Sequence, residues 1–327
     1  MGDADDIAAD WFRRRTSRWQ DWPAGELAER KRRQGDTVSV VIPARDEERT
    51  VADVVSAIAW LKDSTGLVDE LVVMDSDSTD ATAGIAAKAG ATVVAAREVA
   101  PELGGYAGKG EALWKSLLVT KGDIVVFVDA DLTRWGPHFV TGLLGPLLAE
   151  PGVRLVKGFY ERLFPRTDNG DSLASGDSAD GGRVTELVAR PLLSLWWPHL
   201  TRVVQPLAGE WAARRELMES LPIPVGYGIE LAVLLDTARS RGLDAIAQVD
   251  LGSRGHKHQS SHDLALMAAE LMLVAERRRP GGSPGEVPSG DVNLHQFTRS
   301  GEQMRLRSRP VPSAERPPAR EIDAGRG

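Results

Sequence analysis

The residues with the clearest capacity for chemistry are Asp129 and Asp131, two carboxylates separated by one small residue. They follow residues 125–128, an apolar run with the composition of a buried strand. Carboxylate oxygens are hard ligands for Mg²⁺ or Mn²⁺, and such an ion can bridge the oxygens of a diphosphate. Because Asp is also a favoured turn and helix-cap residue, the pair by itself leaves a metal site and a cap as open alternatives.

Two polar turns follow other strand-like runs. Residues 43–48 (PARDEE) come after the first run, and residues 74–80 (MDSDSTD) come after the second. Part of this acidity can serve helix termini, because carboxylates complement the positive end of a helix. The remaining groups can receive a nucleoside, with backbone groups and a carboxylate contacting base and ribose. Two such turns at neighbouring strand ends would form a pocket.

Residues 104–111 form a glycine-rich loop that carries Lys109 in front of a predicted helix. The loop is not a Walker site, since its glycine spacing is one residue short and Gly110 stands where Ser or Thr is required. A lysine at a helix N-terminus can still approach a phosphate as a point charge. The loop therefore indicates a phosphate contact of another kind.

The elements that position these groups alternate regularly along the first half of the chain. Strands are predicted over residues 38–43, 70–74, 91–95 and 123–128, and helices over residues 47–61, 80–89 and 110–119. This alternation predicts a parallel sheet with right-handed crossovers. The carboxyl edge of such a sheet gathers the polar turns in one place.

Composition narrows the class of protein. The chain has 327 residues, of which 42% are apolar, enough for a sizeable core, and it has no cysteine, which excludes disulfides, thiol nucleophiles and cysteine-ligated zinc. A net charge of −7 argues against a broad nucleic-acid footprint. The apolar segment 264–275 is too short to span a bilayer, and the first residues lack the order of a signal peptide. We expect a cytoplasmic protein with no nucleic-acid partner and no stable membrane insertion.

The four polar elements together resemble the GT-A glycosyltransferases, whose nucleotide-binding half ends in a metal-binding Asp-x-Asp. In the second half, residues 182–186 (GRVTE), 205–210 (QPLAGE), 226–230 (GYGIE) and 250–259 (DLGSRGHKHQ) resemble the actinobacterial glucosyl-3-phosphoglycerate synthase family. The resemblance implies an α/β GT-A fold. It consists of a Rossmann-like nucleotide-binding sheet flanked by helices, with a smaller, mainly helical C-terminal region.

Four segments follow from the pattern and the resemblance. Residues 1–35 predict an N-terminal helical segment, whose tryptophans pack on the main body or on a second subunit, and residues 36–135 the nucleotide-sugar-binding α/β half. Residues 136–279 predict the acceptor-binding half and a helical region. Residues 280–327 contain 7 Pro and 7 Gly among 48 residues, which predicts a largely flexible tail.

The family implies a metal-dependent hexosyltransferase. It moves glucose from an NDP-glucose, with UDP-glucose as the expected donor, to the 2-hydroxyl of 3-phosphoglycerate with retention at the anomeric carbon. The product, glucosyl-3-phosphoglycerate, begins the route to methylglucose lipopolysaccharides. The resemblance also implies Mg²⁺ or Mn²⁺ as the cofactor and a homodimer.

Carried over by motif, the site residues form four sets. The nucleotide-sugar set is Pro43, Ala44, Arg45, Glu47, Ser76, Lys109, Asp129 and Ala130. The catalytic set is Glu230, Leu207 and Asp131. The acceptor set is Gly182, Arg183, Thr185 and His256. The metal set is Asp131 and His256, although two histidines near each other in a glycine-rich loop are more often surface residues.

Alternatives remain open from the residues alone. Another NDP-sugar transferase, for instance one that acts on a polyprenyl phosphate, would share the donor half. A non-catalytic nucleotide-sugar sensor would keep the same pocket. Glu230 can position the glucose or act as a base.

Overall fold

The computed structural model describes residues 2–163, 182–255, 261–281, 292–301 and 303–323. Its strands are β1 Thr16–Arg18, β2 Val38–Ala44, β3 Glu70–Asp75, β4 Thr92–Ala95, β5 Ile124–Phe127, β6 Leu155–Leu163, β7 Trp211–Arg214, β8 Ile223–Pro224, β9 Ile246–Gly255, β10 Val292–Ser300, β11 Gln303–Val311 and β12 Glu315–Arg316. Its α-helices are α1 Gly2–Arg15, α2 Ala24–Gln34, α3 Val51–Thr65, α4 Thr82–Lys88, α5 Lys109–Leu117, α6 His138–Ala149, α7 Arg190–Trp196, α8 Arg215–Met218, α9 Ile229–Arg241, α10 Ser261–Arg278 and α11 Ala319–Asp323.

Eight strands of the described residues form one central sheet in the order β1-β9-β6-β7-β5-β2-β3-β4. β7 runs antiparallel to β5 and β6, whereas the other neighbouring pairs are parallel. The predicted α/β class is therefore confirmed, and the four predicted strands are β2 to β5. The sheet also takes β6, β7 and β9 from the second half of the chain. The predicted boundary near residue 135 thus does not divide the sheet.

Both faces of the sheet are covered, and alternate strand residues serve the two faces. In β2, Val41 packs in a core with Trp114 of α5 and Leu231 of α9. Its neighbours in sequence face a second core with helices α2, α3 and α6 on the other side. This double coverage explains why the strands are nearly continuous apolar runs.

The N-terminal segment forms two helices that belong to the body. Trp11 of α1 is fully buried, and its indole N–H donates to the Ile246 carbonyl oxygen of β9 at 2.8 Å. Trp22 donates its indole N–H to Ser17 Oγ at 3.0 Å. Burial of an indole with a satisfied N–H is a common way for tryptophan to anchor a segment. The Trp11 bond therefore anchors the segment to the central sheet, and the Trp22 ring, 2.2 Å from a Cβ added at Gly145, packs closely on α6.

The prediction of a largely flexible tail has to be corrected for residues 292–323. Strands β10 and β11 pair as a hairpin, and β12 pairs with β8. Arg316 of β12 is 6% exposed and binds the carboxylate of Glu111 in α5. The Pro and Gly content predicted flexibility, but two strand pairings and one buried ion pair hold these residues in a defined structure. Residues 282–291, 302 and 324–327 of that predicted tail lie outside the described residues.

Within the described residues, no helix is long and apolar enough to cross a membrane.

Candidate active site

The ends of β2 and β3 lie side by side at the carboxyl edge of the sheet. Ala44 is in register with Asp75, and the Ser76 N–H donates to the Ala44 carbonyl oxygen at 2.9 Å. Residues 128–131 leave β5 at the same edge, because β5 is parallel to β2. Parallel strands thus bring together the three polar turns that the sequence indicated, at the edge where open α/β sheets bind ligands.

The two turns after β2 and β3 are bonded to each other. The Glu47 N–H donates to Thr82 Oγ1 at 2.8 Å, and the Thr79 N–H donates to Asp46 Oδ1 at 2.7 Å. Asp46 takes a left-handed conformation with φ 55°. Asp80 accepts the Thr82 N–H at 2.9 Å, as expected of a residue at a helix start. Several of these acids therefore hold the two turns together, next to the strand ends that carry the predicted nucleoside residues Pro43, Ala44 and Ser76.

The predicted donor residue Lys109 joins two other predicted site residues. Its Nζ lies 2.6 Å from Asp129 Oδ1 and 2.8 Å from Glu230 Oε1. Burial alone would lower the pKa of Lys109, but the two carboxylates together raise it well above its usual value. Lys109 is thus a fixed positive charge at the strand edge. The ion pairs bring together residues from α5, from the turn after β5 and from α9.

A second ion pair lies behind Asp129. Arg254 of β9 pairs with the buried carboxylate of Glu210, and its Nη1 lies 3.9 Å from Asp129 Oδ2. The guanidinium carbon also lies 4.7 Å from the centroid of the Tyr160 ring. Neither Glu210 nor Arg254 was predicted as a site residue. The available signal was that Glu210 is the charged residue of motif 205–210 and Arg254 the arginine of motif 250–259, close to the predicted Leu207 and His256.

Lys157 of β6 is a further buried base that the sequence reasoning missed. Its Nζ donates to the Ala208 carbonyl oxygen at 2.8 Å. Burial lowers the pKa of Lys157 to about 8, against the opposing effect of nearby carboxylates that include Glu230. A lysine within the mostly apolar run 155–160 was the available signal, because lysine is almost never fully buried without a partner.

The segment of Leu207 approaches Asp129 closely. A Cβ added at Gly209 would lie 2.1 Å from Asp129 Oδ2, so only glycine allows this approach. Leu207 itself is half-buried. The segment that carries the predicted glucose contact Leu207 therefore passes beside Asp129, the predicted ribose contact.

The predicted acceptor residues lie on another segment. Gly182 and Arg183 precede a short π-helical turn, Thr185–Ala189, that leads into α7. Thr185 is buried and Arg183 is exposed. Irregular π turns occur frequently at functional sites. His256, predicted for both the acceptor and the metal, lies outside the described residues. Arg45 is exposed, Ala130 is buried and Asp131 is half-buried after β5.

Comparison with known proteins places the chain in a family. The model of Glycosyl transferase family 2 matches residues 39–162. A glucosyl-3-phosphoglycerate synthase from Mycolicibacterium smegmatis is 48% identical over 91% of this chain and 93% of its own length. The crystal structure of glucosyl-3-phosphoglycerate synthase from Mycobacterium tuberculosis with Mn²⁺, UDP and phosphoglyceric acid has a TM-score of 0.80, 45% identity, and coverage of 92% of this chain and 95% of that one. Mannosyl-3-phosphoglycerate synthase from Rubrobacter xylanophilus has a TM-score of 0.85 at 38% identity, with 96% and 98% coverage. The chain belongs to the glucosyl-3-phosphoglycerate synthase family and has its GT-A fold.

Proposed function

We propose that this chain transfers glucose from UDP-glucose to the 2-hydroxyl of 3-phosphoglycerate, with retention and with Mg²⁺ or Mn²⁺ as cofactor. The observation that carries the proposal is the bridge from Lys109 to Asp129 and Glu230, which joins the predicted nucleotide and glucose contacts at one sheet edge. A relative 45% identical to this chain has been crystallised with Mn²⁺, UDP and phosphoglyceric acid, which supports the same ligand set here.

The donor would lie across the edge of β2, β3 and β5. Pro43, Ala44, Arg45, Glu47 and Ser76 would hold the nucleoside, and Asp129 with Ala130 would meet the ribose. Lys109 would place its positive charge beside the diphosphate. There it would stabilise the negative charge of the leaving group without a change in its own position. Its two carboxylate partners restrain Nζ, so this charge is already oriented before substrate binds.

The turn after β5 is the proposed cation site. Asp131 would supply a carboxylate oxygen, which suits Mg²⁺ or Mn²⁺, and His256 an imidazole nitrogen, which favours Mn²⁺ over Mg²⁺. When bound, the cation supplies positive charge that stabilises the leaving diphosphate. Asp129 sits in the same motif but is engaged by Lys109 at 2.6 Å, which supports giving the cation to Asp131.

Glu230 and Leu207 would face the glucose. Glu230 is only 6% exposed, and its Oε1 lies 2.8 Å from the Lys109 ammonium nitrogen, which holds its carboxylate as a hydrogen-bond acceptor at the donor site. Such an acceptor orients a glucose hydroxyl, and we propose donor positioning as its first role and proton acceptance as its second. The leaving diphosphate can itself accept the proton of the attacking 2-hydroxyl. Holding both substrates on one rigid edge supplies proximity.

A direct assay tests the proposal. The purified chain with UDP-glucose, 3-phosphoglycerate and Mg²⁺ should release UDP and form a product whose NMR spectrum shows an α-anomeric proton. Activated mannose and a polyprenyl phosphate are run in parallel as donor and acceptor controls. Preference for mannose, for the lipid acceptor, or a β-linked product would each overturn part of the assignment. Binding of UDP-glucose without turnover would identify a nucleotide-sugar sensor.

Replacing Arg183 by Ala should weaken acceptor use selectively. The guanidinium is proposed to pair with an anionic group of 3-phosphoglycerate, and loss of such a bond costs about 1.5–3 kcal/mol, or about a 10- to 150-fold drop in acceptor kcat/KM. Affinity for UDP-glucose, measured by calorimetry with Mn²⁺, should stay within about threefold. Arg32→Ala, at an exposed arginine of α2, is the matched control. Loss of donor affinity with an intact acceptor KM would place Arg183 in the nucleotide site.

We further propose a homodimer formed through the C-terminal region. Phe297 and Leu306 face each other across the β10–β11 hairpin, and both are more than half exposed. Exposed apolar side chains that lie together on one face can form part of an interaction surface. Light scattering should give twice the chain mass for the wild type and a monomer for Phe297→Ser/Leu306→Ser, and a monomeric wild type would contradict the proposal. Cytoplasmic location and the step towards methylglucose lipopolysaccharides stay predictions.

A further inference from the structure

One turn, residues 225–228, connects Lys109 and Glu230, the two residues whose ion pair lies in the proposed donor site. On one side, the Gly110 N–H donates to the Gly226 carbonyl oxygen at 3.1 Å, and the Glu111 N–H donates to the Val225 carbonyl oxygen at 2.9 Å. Lys109 directly precedes these residues. At its other end the turn runs into α9, whose second residue is Glu230. The position of this turn therefore sets the separation of Lys109 Nζ from the Glu230 carboxylate.

The far side of the turn rests on α10. Glu270 is 3% exposed, and its Oε2 accepts the Tyr227 N–H at 2.6 Å. A Cβ at Gly226 would lie 1.9 Å from that oxygen, and a Cβ at Gly228 would lie 2.5 Å from Val274 Cγ2. The two glycines thus permit a backbone approach that side chains would block. The turn is held between the start of α5 and one face of α10.

The carboxylate of Glu270 is buried, and this burial raises its pKa. From the turn it faces the Tyr227 N–H and side chain, from α9 it faces Glu230 at longer range, and Pro312 approaches the turn as an uncharged neighbour. Burial and, to a smaller extent, the nearby Glu230 raise the pKa of Glu270 to about 7, against the Tyr227 hydrogen bond, which lowers it. A buried carboxylate with such neighbours costs stability, since its charge is poorly solvated.

We propose that Glu270 is a positioning residue, which holds the turn 225–228 and thereby sets the Lys109–Glu230 geometry for glucose transfer. The inference rests on the proposed function. An ionised carboxylate binds a peptide N–H more strongly than a neutral acid does. Turnover should therefore rise as the pH increases through about 7, the value to which burial raises the pKa of Glu270.

A rise in pH should increase turnover but decrease the contribution of Glu270 to the stability of the fold. A raised pKa means that the folded chain binds more protons than the unfolded chain between the usual glutamate value and about 7. The contribution of Glu270 to stability therefore falls as the pH rises through that window. Glu270→Gln removes the buried charge while keeping an acceptor oxygen. At pH 8 this variant should be at least as stable as the wild type and yet turn over more slowly, a combination that a merely structural residue would not produce.

The experiment compares Glu270→Gln and Glu270→Ala with the wild type, with Glu276→Gln on the same helix as the matched control. At pH 8 we expect kcat to fall about 3- to 10-fold for Gln and about 10- to 100-fold for Ala, with KM for 3-phosphoglycerate within about threefold. The Gln variant should also lose the rise of kcat between pH 6 and 8. Hydrogen exchange of the Tyr227 amide should accelerate in the Ala variant, a readout that does not depend on activity.

Three outcomes are distinct. If the wild type transfers no glucose, the proposed function fails, while the amide exchange still tests the structural contact. If the wild type is active and both variants keep its kcat and its pH profile, the positioning role is wrong. If Glu270→Ala does not fold, Glu270→Gln carries the test, and a parallel loss of melting temperature and kcat in that variant would overturn the inference.

Discussion

Asp131→Asn should abolish most glucose transfer, with a fall in kcat/KM of about 10²- to 10³-fold. The carboxylate is proposed to hold the divalent cation, whose charge stabilisation is worth several kcal/mol in reactions of this type. Asparagine keeps the shape of the side chain but removes its negative charge, so the fold is retained while cation affinity falls. Rates measured over a Mn²⁺ titration should show a much weaker metal dependence for the variant.

Two controls define this result. Asp63→Asn, at an exposed position of α3, should leave the rate unchanged. Excess EDTA should stop the wild type, and added Mn²⁺ should restore it. Full turnover of the wild type in excess EDTA would contradict the metal assignment. Melting temperatures of both variants close to that of the wild type would confirm that the comparison concerns the site.

Arg316→Ala should destabilise the fold by about 3 kcal/mol. Its guanidinium donates to both carboxylate oxygens of Glu111 at 2.7 and 2.8 Å and to the carbonyl oxygens of Leu103 and Gly104, both at 2.9 Å. Removing one partner of a buried pair leaves the other charge poorly compensated. The Lys115 Nζ, 3.4 Å from Glu111 Oε1, remains as a partner of Glu111. We therefore expect a loss near the lower end of the roughly 3–5 kcal/mol that breaking a buried ion pair costs.

Urea unfolding followed by circular dichroism measures the loss. Arg305→Ala, on the exposed face of the hairpin, is the matched control and should change stability by less than about 0.5 kcal/mol. Ending the chain after Pro310 should destabilise at least as much as Arg316→Ala, because it removes the same guanidinium together with β12. A shortened chain as stable as the full one would instead support the largely flexible tail that the composition predicts.

Local patterns in the sequence determined much of the fold. The alternation of apolar runs with helical spacing located β2 to β5 and the helices between them, because period and burial are properties of neighbouring residues. The meeting of the polar turns at one edge of the sheet followed from the parallel arrangement of the strands alone. The motifs of the second half identified the family, which the comparisons confirm.

Only the tertiary structure decided which charged side chains form ion pairs. Nothing in the chain near Lys109 indicates that its partners are Asp129 and Glu230, or that Arg254 pairs with Glu210, because each pair joins elements that are distant in sequence. The docking of Arg316 on Glu111 was hidden for the same reason, behind a composition typical of flexible chain. Periodicity is a local property, whereas a buried ion pair depends on how strands cross and helices pack. The sequence therefore determined the sheet edge and its polar turns, and the packing of distant segments determined the charge network around it.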